Sequence, residues 1–359
     1  MTQVAFYAPM KPPTHPVPSG DREMARSLMT VIGARATVDL VSELRVHDRA
    51  GDAAYQGEMC SRARTEIDRL TATLADGGTS LWVTYHNYYK APDLIGPAVC
   101  RALGLPYVQI ESTRARSRLS GPWARYAAAA EAASDAANVI FYLTELDLIT
   151  ISRDRVANQS LVHLRPFLPS GTLLAPADCH TGPMLSVGMM REGAKLASYR
   201  IIADTLGALS GDWHLEIAGD GPARPEVEAL MAPFAPRVTF LGQLDRAGLA
   251  RAYERAALFF WPGVNEAYGM VYLEAQAAGL PVLAQDRPGA RDVLLSGSHP
   301  TPEAGPEALA AVLNHLLSDS DARQRQGSAA RNRIAQNHLT DAATRTFWSA
   351  VSPLLENRR

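Results

Sequence analysis

The chain has 359 residues, more than one typical hydrophobic core supports, so two domains are expected. Its 35 Lys and Arg against 37 Asp and Glu leave a formal net charge of -2, which excludes a global field for gathering nucleic acid or an anionic membrane. Cys60, Cys100 and Cys179 are scattered without metal-ligand spacing, which argues against a disulfide framework and for a reducing compartment, with no metal site expected.

The N-terminal stretch MTQVAFYAPMKPP lacks a basic region followed by a long apolar core. No apolar run reaches the roughly 18 to 20 residues of a spanning helix. A cytoplasmic protein is expected.

Along the chain, Val4 to Ala8 reads as a strand. A loop to Gly20 follows, then a helix over Asp21 to Ile32 with Asp21 as its N-cap. Strands are expected at Thr37 to Val41, Leu81 to Tyr85, Tyr107 to Ile110 and Val139 to Leu143, with helices at Tyr55 to Leu74, Pro92 to Leu103 and Pro122 to Ala137. A Pro- and Gly-rich segment then reads as an interdomain linker, residues 166–184, after a first domain of residues 1–165. The alternation restarts with strands at Leu185 to Met189, Leu215 to Ala218, Val238 to Leu241, Leu258 to Trp261 and Pro281 to Ala284. Helices near Lys195 to Leu209, Pro225 to Met231, Ala247 to Arg255 and Met270 to Ala278 separate them, giving a second α/β domain over residues 185–335. Helical segments without an obvious strand follow. Such alternation specifies open, mostly parallel sheets whose ligands bind beyond the strand carboxyl ends.

The stretch NEAYGMVYLEAQAAGLP, residues 265–281, leaves a strand and opens a helix at Gly269. Its N-terminus suits a phosphate. Glu274 has only apolar neighbours a turn away, so a tertiary Arg or a polar ligand must satisfy it. Arg191 and Lys195 follow the first strand of the same domain and project from the same sheet edge, where they would stabilise a diphosphate leaving group.

GMMREGAK, LEIAGDGP, VTFLGQLD and NEAYGMVYLEAQAAGLPVLA, in this order and spacing, resemble the family-four glycosyltransferases, including bacterial enzymes that glycosylate lipids or polysaccharides. The resemblance covers roughly Leu185 to Leu294. It implies the GT-B fold: two Rossmann-like α/β domains with parallel sheets facing a central cleft. It also implies retaining, metal-independent transfer of a hexose from a UDP- or GDP-linked sugar to a lipid, glycan or small-molecule acceptor, with no cofactor beyond that donor. The segment 336–359 would cross back to the N-terminal domain, a family trait.

Carried over by position, the resemblance puts Glu274 on the ribose hydroxyls and Glu266 on the transferred sugar. The backbone of Gly269, Met270 and Val271 would meet sugar and diphosphate, Arg191 and Lys195 the phosphates, and Leu244 the base through its main chain; Tyr268 lies near the sugar. Gly219 and Gly221 would shape a strand-exit turn. Lys195 is followed here by Leu196, where the family usually has Gly.

In the first domain the family's glycine pair is replaced by Ser19 and Gly20, and Gly20 remains a phosphate or acceptor candidate. His86, in TYHNYYKAPD, suits an acceptor hydroxyl, though a loop anchored by its tyrosines reads equally well. Glu111 stands where relatives place a histidine; it would contact hydroxyls or pair with Arg114 or Arg116. The arginines of residues 113–126 read as a solvated loop, with contact to an anionic acceptor or a bilayer face as the other reading. No nucleic-acid partner is expected. A nucleotide-sugar-binding subunit without catalysis is the alternative from another class, and an epimerase or phosphorylase of the same fold would need a base or lysine-bound cofactor not seen here.

Overall fold

The computed structural model describes residues 2–17, 19–75, 77–179, 181–297 and 299–356. Pro18 of the expected glycine loop, His180 of the expected linker and residues 357–359 of the expected final segment lie outside them. The chain divides into two compact units: Met1–Arg165 with Thr340–Arg359, and Pro166–Leu339.

In the first unit, strands and helices alternate: β1 (Gln3–Tyr7), α1 (Gly20–Gly33), β2 (Thr37–Ser42), α2 (Ala53–Ala75), β3 (Thr79–Tyr85), α3 (Gly96–Leu103), β4 (Tyr107–Ile110), α4 (Ala124–Ala136), β5 (Val139–Tyr142), α5 (Glu145–Arg153) and β6 (Ser160–His163). The sheet runs β2-β1-β3-β4-β5-β6, all neighbours parallel. Val4 to Tyr7, Leu81 to Tyr85 and Tyr107 to Ile110 are buried throughout, as a sheet covered on both faces requires. Because β1 leads through α1 to β2 on one side and β3 leads through α3 to β4 on the other, the order reverses between β1 and β3. A crevice opens beyond strand carboxyl ends at such a point.

Several elements differ from expectation. The first helix is capped by Ser19, whose Oγ accepts from the Arg22 N–H (3.3 Å), which leaves the Asp21 carboxylate free of capping. Helix α5 and strand β6 are additional: ELDLITISR mixes β-branched residues into nine positions and blurs the helical period, and β6 is a short edge strand beside a Pro-rich segment.

The loop from β3 to α3 is anchored by Asn87 and Asp93 rather than by its tyrosines. Asp93 accepts from Thr84 Oγ1 (2.5 Å), Tyr107 OH (2.7 Å) and the N–H groups of Ile95 and Gly96 (2.9 and 2.7 Å). The Asn87 amide donates to Ala130 O and Ser134 Oγ. Tyr88 and Tyr89 stay half-buried.

The second unit holds β7 (Met184–Val187), α6 (Ala194–Gly207), β8 (Leu215–Ala218), α7 (Arg224–Met231), β9 (Val238–Gly242), α8 (Arg246–Arg255), β10 (Leu258–Phe260), α9 (Met270–Ala277), β11 (Val282–Leu283), α10 (Pro288–Arg291), α11 (Gly305–Ser318) and α12 (Ser320–Asn337). Its parallel sheet runs β11-β10-β7-β8-β9. Here α6 leads away to β8 and α9 to β11, so the reversal lies between β7 and β10. The expected linker is not free chain. From Pro166 onward it packs on the second unit, with Leu168 and Cys179 buried, Cys179 Sγ on Gly279 O (3.2 Å) and Arg323 Nε on Cys179 O (2.6 Å).

The last helix, α13 (Thr340–Glu356), packs with the first unit. Its Trp348 indole donates to Val31 O on α1 (3.4 Å), and Phe347 stacks on Phe141 of β5 with ring centroids 5.3 Å apart. Phe347 is fully buried. Phe347→Ala should therefore cost about 4 kcal/mol in urea unfolding of the first unit; an unchanged midpoint would show that α13 adds nothing to that core.

Candidate functional site

In the second unit the strand exits at the reversal are crowded backbone against backbone. A Cβ on Gly219 or Gly221, at φ 142° and 153°, would lie 1.9 Å from Gly188 O or 2.3 Å from Met190 O. A Cβ on Gly188 would lie 2.5 Å from the Trp261 ring. These glycines let the exits of β7 and β8 zip together: Gly188 N donates to Ala218 O (3.0 Å) and Met190 N to Asp220 O (2.9 Å). Their role is the turn geometry the sequence suggested.

Against this edge stands Glu266, on the loop between β10 and α9. Its Oε1 accepts from Lys195 Nζ and from the Trp261 indole (2.9 Å), and Lys195 lies over the Trp261 ring (5.4 Å). Lys195 and Glu266, assigned above to different parts of a ligand, are thus paired with each other. Both donors sit on one carboxylate oxygen, leaving Oε2 able to accept. Trp261 was not singled out in the sequence, because a strand-end tryptophan reads as core.

Two helices begin beside this pair, and neither has a side-chain cap. Gly269 precedes α9 at φ 72°, where a Cβ would meet the Tyr272 ring at 2.6 Å; Gly193 precedes α6 at φ 77°, with open space around it. The N–H groups of Met270 and Val271 find no acceptor among the described residues. Uncapped N–H groups of this kind are anion-binding positions. Arg191 is exposed just before α6, with no carboxylate in ion-pair reach among the described residues.

Glu274 lies one turn into α9 and is half-buried. The tertiary arginine considered for it is not its partner: the Tyr253 phenol of α8 donates to Glu274 Oε2 (3.0 Å). Burial raises the Glu274 carboxyl above its ordinary pKa, against the opposing pull of Tyr253 and the Arg246 charge. Oε1 remains available. Leu244, before α8, is half-buried with its main-chain N–H and C=O unengaged among the described residues. Tyr268 sits between Glu266 and Gly269, packed on the core. Tyr253, like Trp261, carried no sequence signal beyond its aromatic character.

The first unit's reversal, between β1 and β3, gathers a second cluster. His86 and Glu111 follow β3 and β4 at φ 69° and 57°, a conformation that costs non-glycine residues of order 1 kcal/mol or more and concentrates at functional sites. Their N–H groups still continue the ladder, to Ile110 O (2.9 Å) and Phe141 O (2.8 Å). His86 Nδ1 lies 3.5 Å from Asp21 Oδ1 at the start of α1. Burial alone would lower the His86 pKa, but Glu111, Asp21 and Asp147 together raise it. Glu111 is raised by burial, and its Oε2 is buried without a partner. Gly20 is exposed at the first position of α1, with nothing near the place of a Cβ.

Two of the four arginines of the loop are paired with carboxylates. Arg114 is buried between Glu131 (2.9 Å) and Asp135 (2.6 Å), Arg116 pairs with Asp154 (2.6 Å), and Arg118 lies over Tyr89 and Trp123. Glu111 pairs with none of them. Among the described residues no helix is long and apolar enough to cross a membrane.

Residues 184–319 match the family model described as glycosyl transferases group 1. The chain is 34% identical over 130 residues to a GDP-mannose-dependent alpha-mannosyltransferase of Mycolicibacterium smegmatis, covering 35% of this chain and 33% of that protein. It is 32% identical over 180 residues to a D-inositol 3-phosphate glycosyltransferase of Mycobacterium avium, covering 48% of this chain and 40% of the relative. These matches span well under half of either relative. In structure it is similar to a sucrose-phosphate synthase from Thermosynechococcus elongatus, with a TM-score of 0.71 at 17% identity over 99% of this chain and 100% of the other. That likeness establishes the GT-B fold over the whole chain.

Burial disfavours the charged Glu274, so the ionised residue destabilises the ligand-free protein wherever pH exceeds its raised pKa. Glu274→Gln should raise the melting temperature at neutral pH, with the gain shrinking as pH falls through that pKa. A gain that persisted in acid, or a lower melting temperature at neutral pH, would show that the carboxylate is not strained by burial.

Proposed function

With residues 184–319 belonging to the group 1 glycosyl transferases, we propose that the chain transfers a hexose from a UDP- or GDP-linked sugar to an acceptor hydroxyl, retaining the anomeric configuration and without a metal. The observation that carries this reading is the pairing of Lys195 and Glu266 between two uncapped helix starts. Glu274 offers Oε1 to the ribose and Leu244 its main chain to the base. The diphosphate takes the N–H groups of Met270 and Val271 with Arg191 and Lys195, and the sugar hydroxyls take Glu266 Oε2.

As the glycosidic bond breaks, negative charge grows on the departing phosphate oxygen. Positive groups already in place stabilise that charge without reorganising. Lys195, tethered through one of its three donors, keeps two for the phosphate. The phosphate oxygen then receives the acceptor's proton on the same face of the sugar, which keeps the configuration. His86 and Glu111 in the first unit, with Gly20 nearby, are candidate contacts for acceptor hydroxyls. The acceptor itself is a lipid, glycan or small molecule.

Incubation with radiolabelled UDP- and GDP-sugars in EDTA tests this. Release of nucleoside diphosphate is expected, and Glu266→Ala and Lys195→Ala should each lower turnover by about 10²-fold or more, with nucleotide affinity little changed in Glu266→Ala and weakened in Lys195→Ala. Binding without release for every donor and acceptor would favour a non-catalytic nucleotide-sugar-binding subunit. Normal turnover by both variants would overturn the assignment.

A further inference from the structure

Between β2 and α2 the chain runs extended, and its burial alternates. Leu44, Val46 and Asp48 are buried, while Arg45 and Arg49 are exposed and His47 half-exposed. Period-two alternation puts the last three side chains on one face. Two guanidinium charges, Arg45 and Arg49, thus flank the His47 ring on that face.

The protein holds them there firmly. Asp48, turned inward, accepts from the N–H groups of Ala50 (2.8 Å), Gly51 (3.0 Å) and Asp52 (2.9 Å) and from Gln56 Nε2 (2.8 Å). Its charge is spent on that turn. Gly51, at φ 76°, has no room for a Cβ, which would lie 2.4 Å from Pro122 Cβ. Val46 N donates to Pro9 O, and Asp48 N to Lys90 O (2.9 Å), which lays this segment beside the loop that carries His86, Tyr88 and Lys90. The His47 ring stacks near Tyr88, and Tyr88 near His86, at centroid distances of 6.5 and 4.9 Å.

No carboxylate reaches ion-pair distance of Arg45, Arg49 or Lys90 among the described residues. Glu43, earlier on the same face, accepts from Thr14 Oγ1, and Asp52 accepts from Ala54 N and Tyr55 N at the start of α2. Burial, then the charges of Arg45, Arg49, Lys90 and His86, hold the His47 ring below its ordinary pKa. Arg45 Nη2 lies 3.2 Å from His47 Nδ1. A guanidinium can only donate, so Nδ1 accepts and the ring proton sits on Nε2 as a further donor. A groove of about 560 Å³ is lined by Arg45, His47, Asp48, Arg49, Asp52 and Tyr55.

We propose that Arg45, His47 and Arg49 form a binding site for the phosphate group of a phosphorylated ligand. A tetrahedral oxyanion accepts from several directions at once and matches guanidinium donors in pairs. Its charge complements the two guanidinium charges that the fold holds on this face. The site adjoins His86 at the first unit's sheet edge, so its ligand is the transferase's acceptor, bearing a phosphomonoester or phosphodiester. That role rests on the transferase reading; binding itself does not.

Titration calorimetry with inorganic phosphate and with glycerol 3-phosphate, and sedimentation with phosphatidylcholine vesicles with or without phosphatidylglycerol, test the site. The Arg45→Gln/Arg49→Gln double variant is compared with wild type and with Arg35→Gln/Arg101→Gln, which removes two exposed arginines elsewhere in the first unit. Saturable binding of a soluble phosphate that the first variant weakens by about tenfold or more, and the control does not, supports the site with a soluble ligand. Sedimentation only with the anionic vesicles, lost in the first variant alone, supports it with a lipid headgroup. No binding of either kind by wild type, or equal losses in both variants, overturns it. UDP and GDP affinity, measured on the same samples, should be unchanged. If wild type bound neither nucleotide, the transferase reading would fail while the anion result stood.

Discussion

One carboxylate oxygen joins the two strand exits at the reversal of the second unit's sheet. Glu266 Oε1 takes the Lys195 ammonium, carried by the start of α6 after β7, and the Trp261 indole at the end of β10. Those are the two strands between which the sheet order reverses. The contact holds both helix starts to one edge and leaves the second oxygen of Glu266 for a ligand. Glu274 is handled the same way, with Tyr253 on one oxygen and the other open. Each acid is oriented by the protein through one oxygen, and its other oxygen has no hydrogen-bond partner among the described residues. A facing acid-base couple of the glycosidase kind would need a different arrangement, with both carboxyls bearing on one bond.

The first unit uses the same topology to a different end. Its reversal point carries His86 and Glu111 on left-handed backbone, braced by Asn87 and Asp93 beneath, so the strain is held by buried hydrogen bonds. The second unit presents uncapped backbone N–H groups beside Lys195, Glu266 and Glu274, whereas the first presents side chains, with exposed Arg45 and Arg49 on a neighbouring segment.

How much of this was legible in the sequence depended on whether a signal was local. The strand and helix alternation, the glycine that opens α9 and the two glutamates follow from spacing, and the structure carries them at those positions. Ser19 rather than Asp21 as the cap was not decidable from neighbouring candidates; it left Asp21 free to face His86. Helix α5, with its β-branched residues, and the edge strand β6 had weak periods, and the Pro-rich segment after them proved packed rather than loose. Partnerships were the hardest part. Tyr253 with Glu274, Trp261 with Glu266 and Arg114 with Glu131 and Asp135 join residues distant along the chain, and no local pattern announces them. The row Arg45, His47, Arg49 was not singled out in the sequence; that Asp48 turns inward and no carboxylate pairs with either arginine among the described residues shows only in the structure.

Nucleotide recognition through the ribose is the most direct point of access to this arrangement. Dissociation constants for UDP and GDP should be compared with those of their 2′,3′-dideoxy forms, on wild type and on Glu274→Ala. Loss of the hydroxyls should weaken binding to wild type by about tenfold, the worth of a hydrogen bond to a charged group, and should cost almost nothing in the variant. An equal penalty in both proteins would show that Glu274 does not read the ribose and that the donor lies elsewhere.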